Sequence, residues 1–241
     1  MKKEERLMME RERVHLMYGS ERELAGDAVY VFGIDEAGRG PLCGPVAAAC
    51  CILGNDCGEI LYLNDSKKLS EARREELYGE ITSKAAAYGI ALIDCRRIDE
   101  INILNATMEA MRDAFDKCMD MYRKRQSEKL TGCSSEELKD AFDLIPGLSD
   151  SIVLVDGNKT VPGIHFNQKS VVKGDAKCPS ISAASILAKV TRDRLLYEYD
   201  RLYPEYGFAK NKGYGTKEHI EAIKKYGVLD IHRRSFLKNI L

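Results

Sequence analysis

Val29-Tyr30-Val31-Phe32-Gly33-Ile34 runs directly into Asp35-Glu36-Ala37-Gly38-Arg39-Gly40-Pro41. The first six residues are rich in β-branched and aromatic side chains and predict a strand. Two adjacent carboxylates follow it. Successive side chains on a strand point to opposite faces, so Asp35 and Glu36 diverge unless the backbone turns at the strand end, where both can reach one ion. Gly38 and Gly40 would let backbone amides approach a ligand closely, with the Arg39 guanidinium between them. Taken alone, the segment describes a polar strand end and a Gly-rich turn equally well.

Working outward, Pro45 to Leu53 and Tyr88 to Ile93 are further apolar runs. Between them Ser70 is placed to cap a helix reaching about Lys84, with Glu71 in its first turn. Leu104, Met108, Met111, Phe115 and Cys118 recur at spacings of four and three and predict an amphipathic helix from about Asn102 to Tyr122. Ser151 to Val155 is a β-rich run that ends at Asp156-Gly157. Lys169 to Lys173 is a neighbouring strand that ends at Gly174-Asp175. Pro179 opens a long helix that Pro204 stops, and Thr216 to Lys225 is a last helix ended by Gly227. The order of elements predicts an α/β fold, a central mixed β-sheet flanked by helices with a helical C-terminal region. Residues 1–28, with a charged helix from Glu4 to Arg22, are expected as an N-terminal appendage to a domain covering 29–241. The polar stretch 123–149 is expected as a surface insertion with one short helix near Glu136 to Phe142.

The chain has 241 residues, 44% hydrophobic and 31% charged, enough for one sizeable core. This excludes a disordered chain, a collagen-like fibre and a disulfide-stapled miniprotein. No run approaches the ~18 apolar residues of a membrane span. The charged start, Met1-Lys2-Lys3-Glu4-Glu5-Arg6, carries no secretory h-region, so the expected compartment is the cytoplasm. The eight cysteines show no Cys-x-x-Cys spacing, and Cys50 and Cys51 sit within an apolar run, which favours reduced core thiols over structural zinc. Residues 151–241 hold 16 Lys and Arg against 9 Asp and Glu, while the first 150 hold 21 against 29. Such a basic tail suits a polyanion, and solvated faces account for it as well.

Asp156 and Asp175 each close a β-rich run and each sit beside a glycine. A single Asp there is ordinarily a turn or cap residue. Three or four carboxylates collected at strand ends make a hard, oxygen-rich site suited to Mg²⁺ or Mn²⁺. Two such ions ~3.5–4 Å apart can clamp an in-line displacement at phosphorus.

Gly33-Ile34-Asp35-Glu36-Ala37-Gly38-Arg39-Gly40-Pro41-Leu42-Cys43-Gly44-Pro45-Val46 resembles the opening motif of ribonuclease HII, a type 2 ribonuclease H. Asp65-Ser66-Lys67-Lys68-Leu69-Ser70 is similar to its second block and Val155-Asp156-Gly157 to its third. Lys173-Gly174-Asp175 with Ala183-Ala184-Ser185-Ile186-Leu187-Ala188-Lys189-Val190-Thr191-Arg192-Asp193 is similar to the fourth. Lys212-Gly213-Tyr214-Gly215-Thr216-Lys217-Glu218-His219 and Gly227-Val228-Leu229-Asp230-Ile231-His232-Arg233-Arg234-Ser235-Phe236 complete the set. Six blocks in family order span roughly Val29 to Phe236, far more specific than any one motif.

The resemblance implies a ribonuclease H-like fold and endonucleolytic cutting of RNA paired with DNA, leaving 5′-phosphate and 3′-hydroxyl ends. It implies roles in removing ribonucleotides from DNA and in removing RNA primers. By motif, the four active-site carboxylates fall on Asp35, Glu36, Asp156 and Asp175. Asp35 would bridge or hold two Mn²⁺ or Mg²⁺ ions, Glu36 and Asp156 would complete the coordination, and Asp175 would serve the second ion. Gly38-Arg39-Gly40 resembles the segment that senses the ribose 2′-hydroxyl, and Tyr214 the tyrosine that stacks on the next sugar. Together they imply a cut on the 5′ side of a single ribonucleotide embedded in DNA. Lys67, Lys173, Lys189, Arg192, Lys210, Lys212 and Lys217 are candidate phosphate contacts, of which Lys67 belongs to the substrate site. His219 and His232 are expected in helix-surface or cap roles. The expected partners are RNA/DNA hybrid and ribonucleotide-containing duplex DNA, with no membrane and a monomeric chain.

Two alternatives remain at this stage. A ribonuclease HIII-like or DNA-resolving nuclease would share the fold; the Gly-Arg-Gly segment argues for HII. A non-catalytic nucleic-acid-binding module would not need all four carboxylates. A small-molecule phosphatase would need a phosphate-cradling loop or a Ser or Cys nucleophile motif, and neither is present.

Overall fold

The computed structural model describes residues 3–54, 59–131, 147–238 and 240. Five strands, β1 (Val31–Ala37), β2 (Val46–Ile52), β3 (Ala87–Ile93), β4 (Ile152–Asp156) and β5 (Asn167–Val171), form one sheet in the order β3-β2-β1-β4-β5. β1 is central. It runs antiparallel to β2 and parallel to β4, while β2–β3 is antiparallel and β4–β5 parallel. The expected mixed sheet is thus present.

β2 reads Val46-Ala47-Ala48-Ala49-Cys50-Cys51-Ile52 and every residue is buried, because helices cover both faces of the sheet. On one face Phe32, Val46, Ala48 and Cys50 meet Ala110, Ala114, Phe115 and Cys118 of α3 (Cys95–Thr131). On the other, Ala47, Ala49 and Cys51 meet α2 (Glu71–Lys84) through Leu77 and Ile81 and α4 (Pro179–Leu202) through Ala183, Ala184 and Leu187. Gly33 lets β1 touch the start of α4. A Cβ at that position would fall 2.1 Å from the carbonyl carbon of Ser180. Pro179 occupies the first turn of α4, where its missing N–H costs nothing. Ser70 caps α2 as expected, accepting from the Arg73 N–H.

The helix expected over 102–122 is the middle of the longer α3. Asn102 interrupts it at φ 67°, ψ 163°, and its side-chain oxygen accepts from the N–H groups of Leu104 and Asn105, capping the longer segment. Residues 123–131 continue the helix rather than opening an insertion. Their polar composition concealed a docking role, since Arg125 donates to the carbonyls of Ala85 and Ala86. Of the rest of the expected insertion, residues 132–146, including the short helix near Glu136 to Phe142, lie outside the described residues, while 147–149 form a turn in which Leu148 is buried.

The N-terminal helix α1 (Lys3–Ala25) is fastened to the body. Val14 and Met17 are buried, Glu10 accepts from the Tyr62 N–H, and Arg13 donates to the Leu63 carbonyl. Glu21 is buried and accepts from the backbone N–H and the hydroxyl of Ser180, so its carboxylate sits at the positive end of α4. α1 therefore braces the helix that lies against β1. At the other end of the chain, α5 (Phe208–Asn211), α6 (Lys217–Tyr226) and α7 (Arg234–Leu237) form the helical C-terminal region. Phe208, Ile223 and Leu237 pack there with Leu42, Cys43 and Leu196 in a separate small core. Among the described residues no helix is long and apolar enough to cross a membrane.

Candidate active site

β1 does not end before the carboxylates. It runs through Ala37, pairing Asp35 with Ala49 and Glu36 with Ala48, so the expected turn at Asp35 is absent. Convergence comes from neighbouring elements instead. Ile34 lies beside Val155 in the parallel β1–β4 pair, which sets Asp156 next to Asp35 at one end of the sheet. After β5, Lys173 takes a left-handed conformation (φ 57°) and Gly174–Ala176 form one 3₁₀ turn that carries Asp175. The Gly174 N–H donates to Asp156 Oδ1 at 2.7 Å, fastening that turn to the end of β4.

These groups lie close enough to bear on one another's charge. Asp35 is buried, and burial, then the charges of Glu36 and Asp156, push its carboxyl well above the usual range. A hydrogen bond from the Ser185 side chain on α4 works the other way. Burial also raises Glu36, opposed by the Arg39 guanidinium, whose Nη1 lies 3.2 Å from Glu36 Oε1. Asp175 rises to about 6 through burial and then the charges of Asp156 and Asp65, with Lys67 opposing. All four carboxylates expected from the sequence are thus brought together. Asp65, Ser66 and Ser185 were not anticipated as site residues. Ser185 Oγ lies 3.0 Å from Ser66 Oγ, and Asp65 caps the 3₁₀ turn that carries Lys67. Their only sequence signal was position inside the second and fourth blocks.

The Gly-Arg-Gly segment and Tyr214 also meet. The Cβ position of Gly40 lies 3.5 Å from Tyr214 Cε1, and the Leu42 N–H donates to the Gly213 carbonyl. Gly38 has φ 90°, and a Cβ there would fall 2.1 Å from Arg192 Nε. Its glycine is demanded by packing against that arginine. Arg39 and the Tyr214 ring are exposed.

Arg192 is a correction to the expected phosphate contacts. It is buried and donates to the carbonyls of Pro45, Lys212 and Cys43. Lys189 is committed as well, its Nζ 2.6 Å from Asp193 Oδ1. Lys212 Nζ sits 3.5 Å from the centroid of the Tyr197 ring. Lys67, Lys173, Lys210 and Lys217 remain exposed. His219 and His232 are a second correction, since both are buried and hydrogen-bonded to each other rather than placed on a helix surface. Arg233, read only as part of a motif, is fully buried and donates to the carbonyls of Gly38, Arg39, Pro41 and Gly44. It holds the Gly-Arg-Gly loop in shape.

A helix-covered mixed sheet, bearing clustered carboxylates at the ends of its central strands, defines the class as a metal-dependent phosphodiester hydrolase. A family model described as ribonuclease HII matches residues 32–239. A ribonuclease HII of Clostridioides difficile (strain 630) is 52% identical over 213 residues, 88% of this chain and 72% of that protein. Among solved structures, ribonuclease H2 from Pyrococcus horikoshii OT3 superposes with a TM-score of 0.56 at 26% identity, covering 88% of this chain and 97% of that one. A ribonuclease HIII solved with Mn²⁺ shares the fold, with a TM-score of 0.57 at 14% identity over 88% of this chain and 63% of that one. The chain belongs to the ribonuclease HII family, metal-dependent endonucleases that cut the RNA of RNA/DNA hybrids.

Proposed function

We propose that this chain cuts the RNA strand of RNA/DNA hybrids and cleaves 5′ to single ribonucleotides embedded in duplex DNA, leaving 5′-phosphate and 3′-hydroxyl ends. The observation that carries this reading is the meeting of Asp35, Glu36, Asp156 and Asp175 at one end of the sheet. Burial first, and then the charges of neighbouring carboxylates, lift Asp35 and Asp175 above ordinary carboxyl values. An oxygen-only donor set that repels itself fits a hard divalent cation, Mn²⁺ or Mg²⁺, and the Mn²⁺ in the ribonuclease HIII neighbour supports that choice. When bound, such ions supply Lewis-acid stabilisation of the charge developing at phosphorus.

Asp35, Glu36 and Asp156 would hold such ions, and Asp175 would serve a second one. Lys67, close enough to Glu36 and Asp175 to lower both, offers a cation to the phosphate. The Gly38-Arg39-Gly40 backbone reads the 2′-hydroxyl, the group that separates RNA from DNA at one nucleotide. Tyr214 stacks on the sugar that follows. Lys173, Lys210 and Lys217 position the duplex through its phosphates without reading sequence. Residues 29–241 form the catalytic unit, braced by α1. The role is removal of ribonucleotides and RNA primers from DNA by a cytoplasmic monomer. Six cysteines among the described residues are buried and form no disulfide, which supports a reducing compartment.

The test is a labelled DNA duplex carrying one ribonucleotide, incubated with protein and Mg²⁺ or Mn²⁺ beside an all-DNA duplex. The expected result is a single cut 5′ to the ribonucleotide and none in the all-DNA duplex. Cleavage of long hybrids alone would favour a ribonuclease HIII-like specificity.

A further inference from the structure

His219 and His232 play no part in the chemistry above, yet both are buried, and they lie directly behind Tyr214. His219 Nδ1 is 2.9 Å from the Tyr214 carbonyl oxygen. A carbonyl only accepts, so Nδ1 carries the proton and Nε2 the lone pair. The Leu229 N–H donates to His232 Nδ1 at 3.0 Å, which puts the His232 proton on Nε2. The two Nε2 atoms are 3.2 Å apart, a proton on one facing a lone pair on the other. One chain of hydrogen bonds therefore runs from Leu229 through both rings to Tyr214. It requires both rings neutral, and burial lowers both, His232 to about 4 with the charge of His219 adding to the effect.

With Cys43 the two histidines make a trio whose donor atoms all lie within 4.8 Å of one another. A cation would need the Nε2 lone pair of both rings. The Leu229 N–H already occupies His232 Nδ1, so freeing Nε2 would strip that ring of its only proton. Burial also pushes the Cys43 thiol up to about 12 and keeps it protonated. The trio is a hydrogen-bonded strut rather than a metal centre.

The strut joins two pieces of backbone. His232 forms an isolated antiparallel bridge with Cys43, the Gly44 N–H donates to the Ile231 carbonyl, and the Arg233 N–H donates to the Leu42 carbonyl. Its lower end is thus bound to the chain that leaves the Gly-Arg-Gly loop. Its upper end holds the Tyr214 carbonyl, which also accepts from the Thr216 N–H. We propose that His219 and His232 are positioning residues for substrate selection, setting the Tyr214 ring against Gly40 so that the 2′-hydroxyl reader and the sugar stack keep a fixed spacing. This rests on the reading of Tyr214 as the contact just past the ribonucleotide.

Two substitutions at one position separate positioning from packing. His219→Asn places an amide N–H near the Nδ1 position and keeps the donor to Tyr214. His219→Gln places its amide near Nε2, keeping the contact with His232 and losing that donor. Both variants are compared with the wild type and Tyr214→Ala by kcat/KM on a lone-ribonucleotide duplex and on a long hybrid, with melting temperatures in parallel. His219→Gln is expected to lose about fivefold to tenfold on the lone ribonucleotide relative to the long hybrid, the size of one hydrogen bond. His219→Asn is expected to return towards the wild-type ratio, and adding Tyr214→Ala to His219→Gln to cost little beyond Tyr214→Ala alone. Equal losses on both substrates, losses that follow melting temperature, or additive losses in the double variant would overturn the proposal. An unchanged substrate ratio in Tyr214→Ala would instead bring down the reading of Tyr214, and the strut's role in selection with it.

Discussion

At the strand ends, burial first and then neighbouring carboxylate charge hold the carboxyls of Asp35, Glu36 and Asp175 above their ordinary values. Behind the Gly-Arg-Gly loop, Arg192, Arg233, His219 and His232 are buried among carbonyls, and all four are held below theirs. The first region gathers like charges because β1, β4 and the turn after β5 carry its side chains to one end of the sheet. A bound cation offsets the repulsion. The second region is satisfied bond by bond and owes its shape to that satisfaction. In the function proposed above, the first region would hold the metal ions for chemistry and the second would fix the spacing of a reading surface.

The largest effect should come from the acidic end. Asp35→Asn is expected to lower cleavage at least ~10³-fold while raising the melting temperature of the metal-free protein, since it removes a buried charge that two neighbours oppose. Calorimetry beside a cleavage assay reads both. A fall in melting temperature would mean that the cluster is not under repulsion. Next comes Arg233→Ala, which leaves two buried and two partly buried carbonyls without this donor. A loss of about 3–5 kcal/mol in urea unfolding is expected, and a loss under 1 kcal/mol would show that the loop holds itself.

Metal addition comes third, and its size depends on pH. Asp175 has its ordinary value, 3.8, when unfolded and about 6 when folded. Its support for the fold is therefore complete at low pH and is lost as pH rises through about 6. His232 behaves oppositely, near 6.5 unfolded and about 4 folded, so its support is complete above 6.5 and is lost as pH falls toward 4. Protons and a divalent cation compete for Asp175 and Asp35. Mn²⁺ at ~100 times its Kd should stabilise the protein by about 2–3 kcal/mol near pH 8. That gain should shrink as pH falls through about 6, read as melting temperature with and without the ion. A gain independent of pH would place the ion elsewhere.

Much of this was legible in the sequence. The β-rich runs, the Ser70 cap and Pro179 each act within a few residues of themselves, and the structure repeats them. The four carboxylates were legible only jointly, as acidic residues closing β-rich runs. Long-range pairings were not legible. Nothing local to Glu21 says that it caps α4, 159 residues away. Nothing local to Arg192 says that its charge is spent on carbonyls rather than on phosphate. His219 and His232 read as surface residues because their burial depends on each other. The polar stretch 123–131 read as loop because its composition reflects solvent on one side and the Arg125 contact on the other.

The division of labour is tested most directly by Tyr214→Ala, assayed with Mn²⁺ on a lone-ribonucleotide duplex and on a long RNA/DNA hybrid. If chemistry resides at the carboxylates and selection at the reading surface, the variant keeps most of its rate on the long hybrid and loses about tenfold or more on the lone ribonucleotide, the scale of a lost stacking contact. Equal losses on both substrates, or no loss on either, would contradict the account.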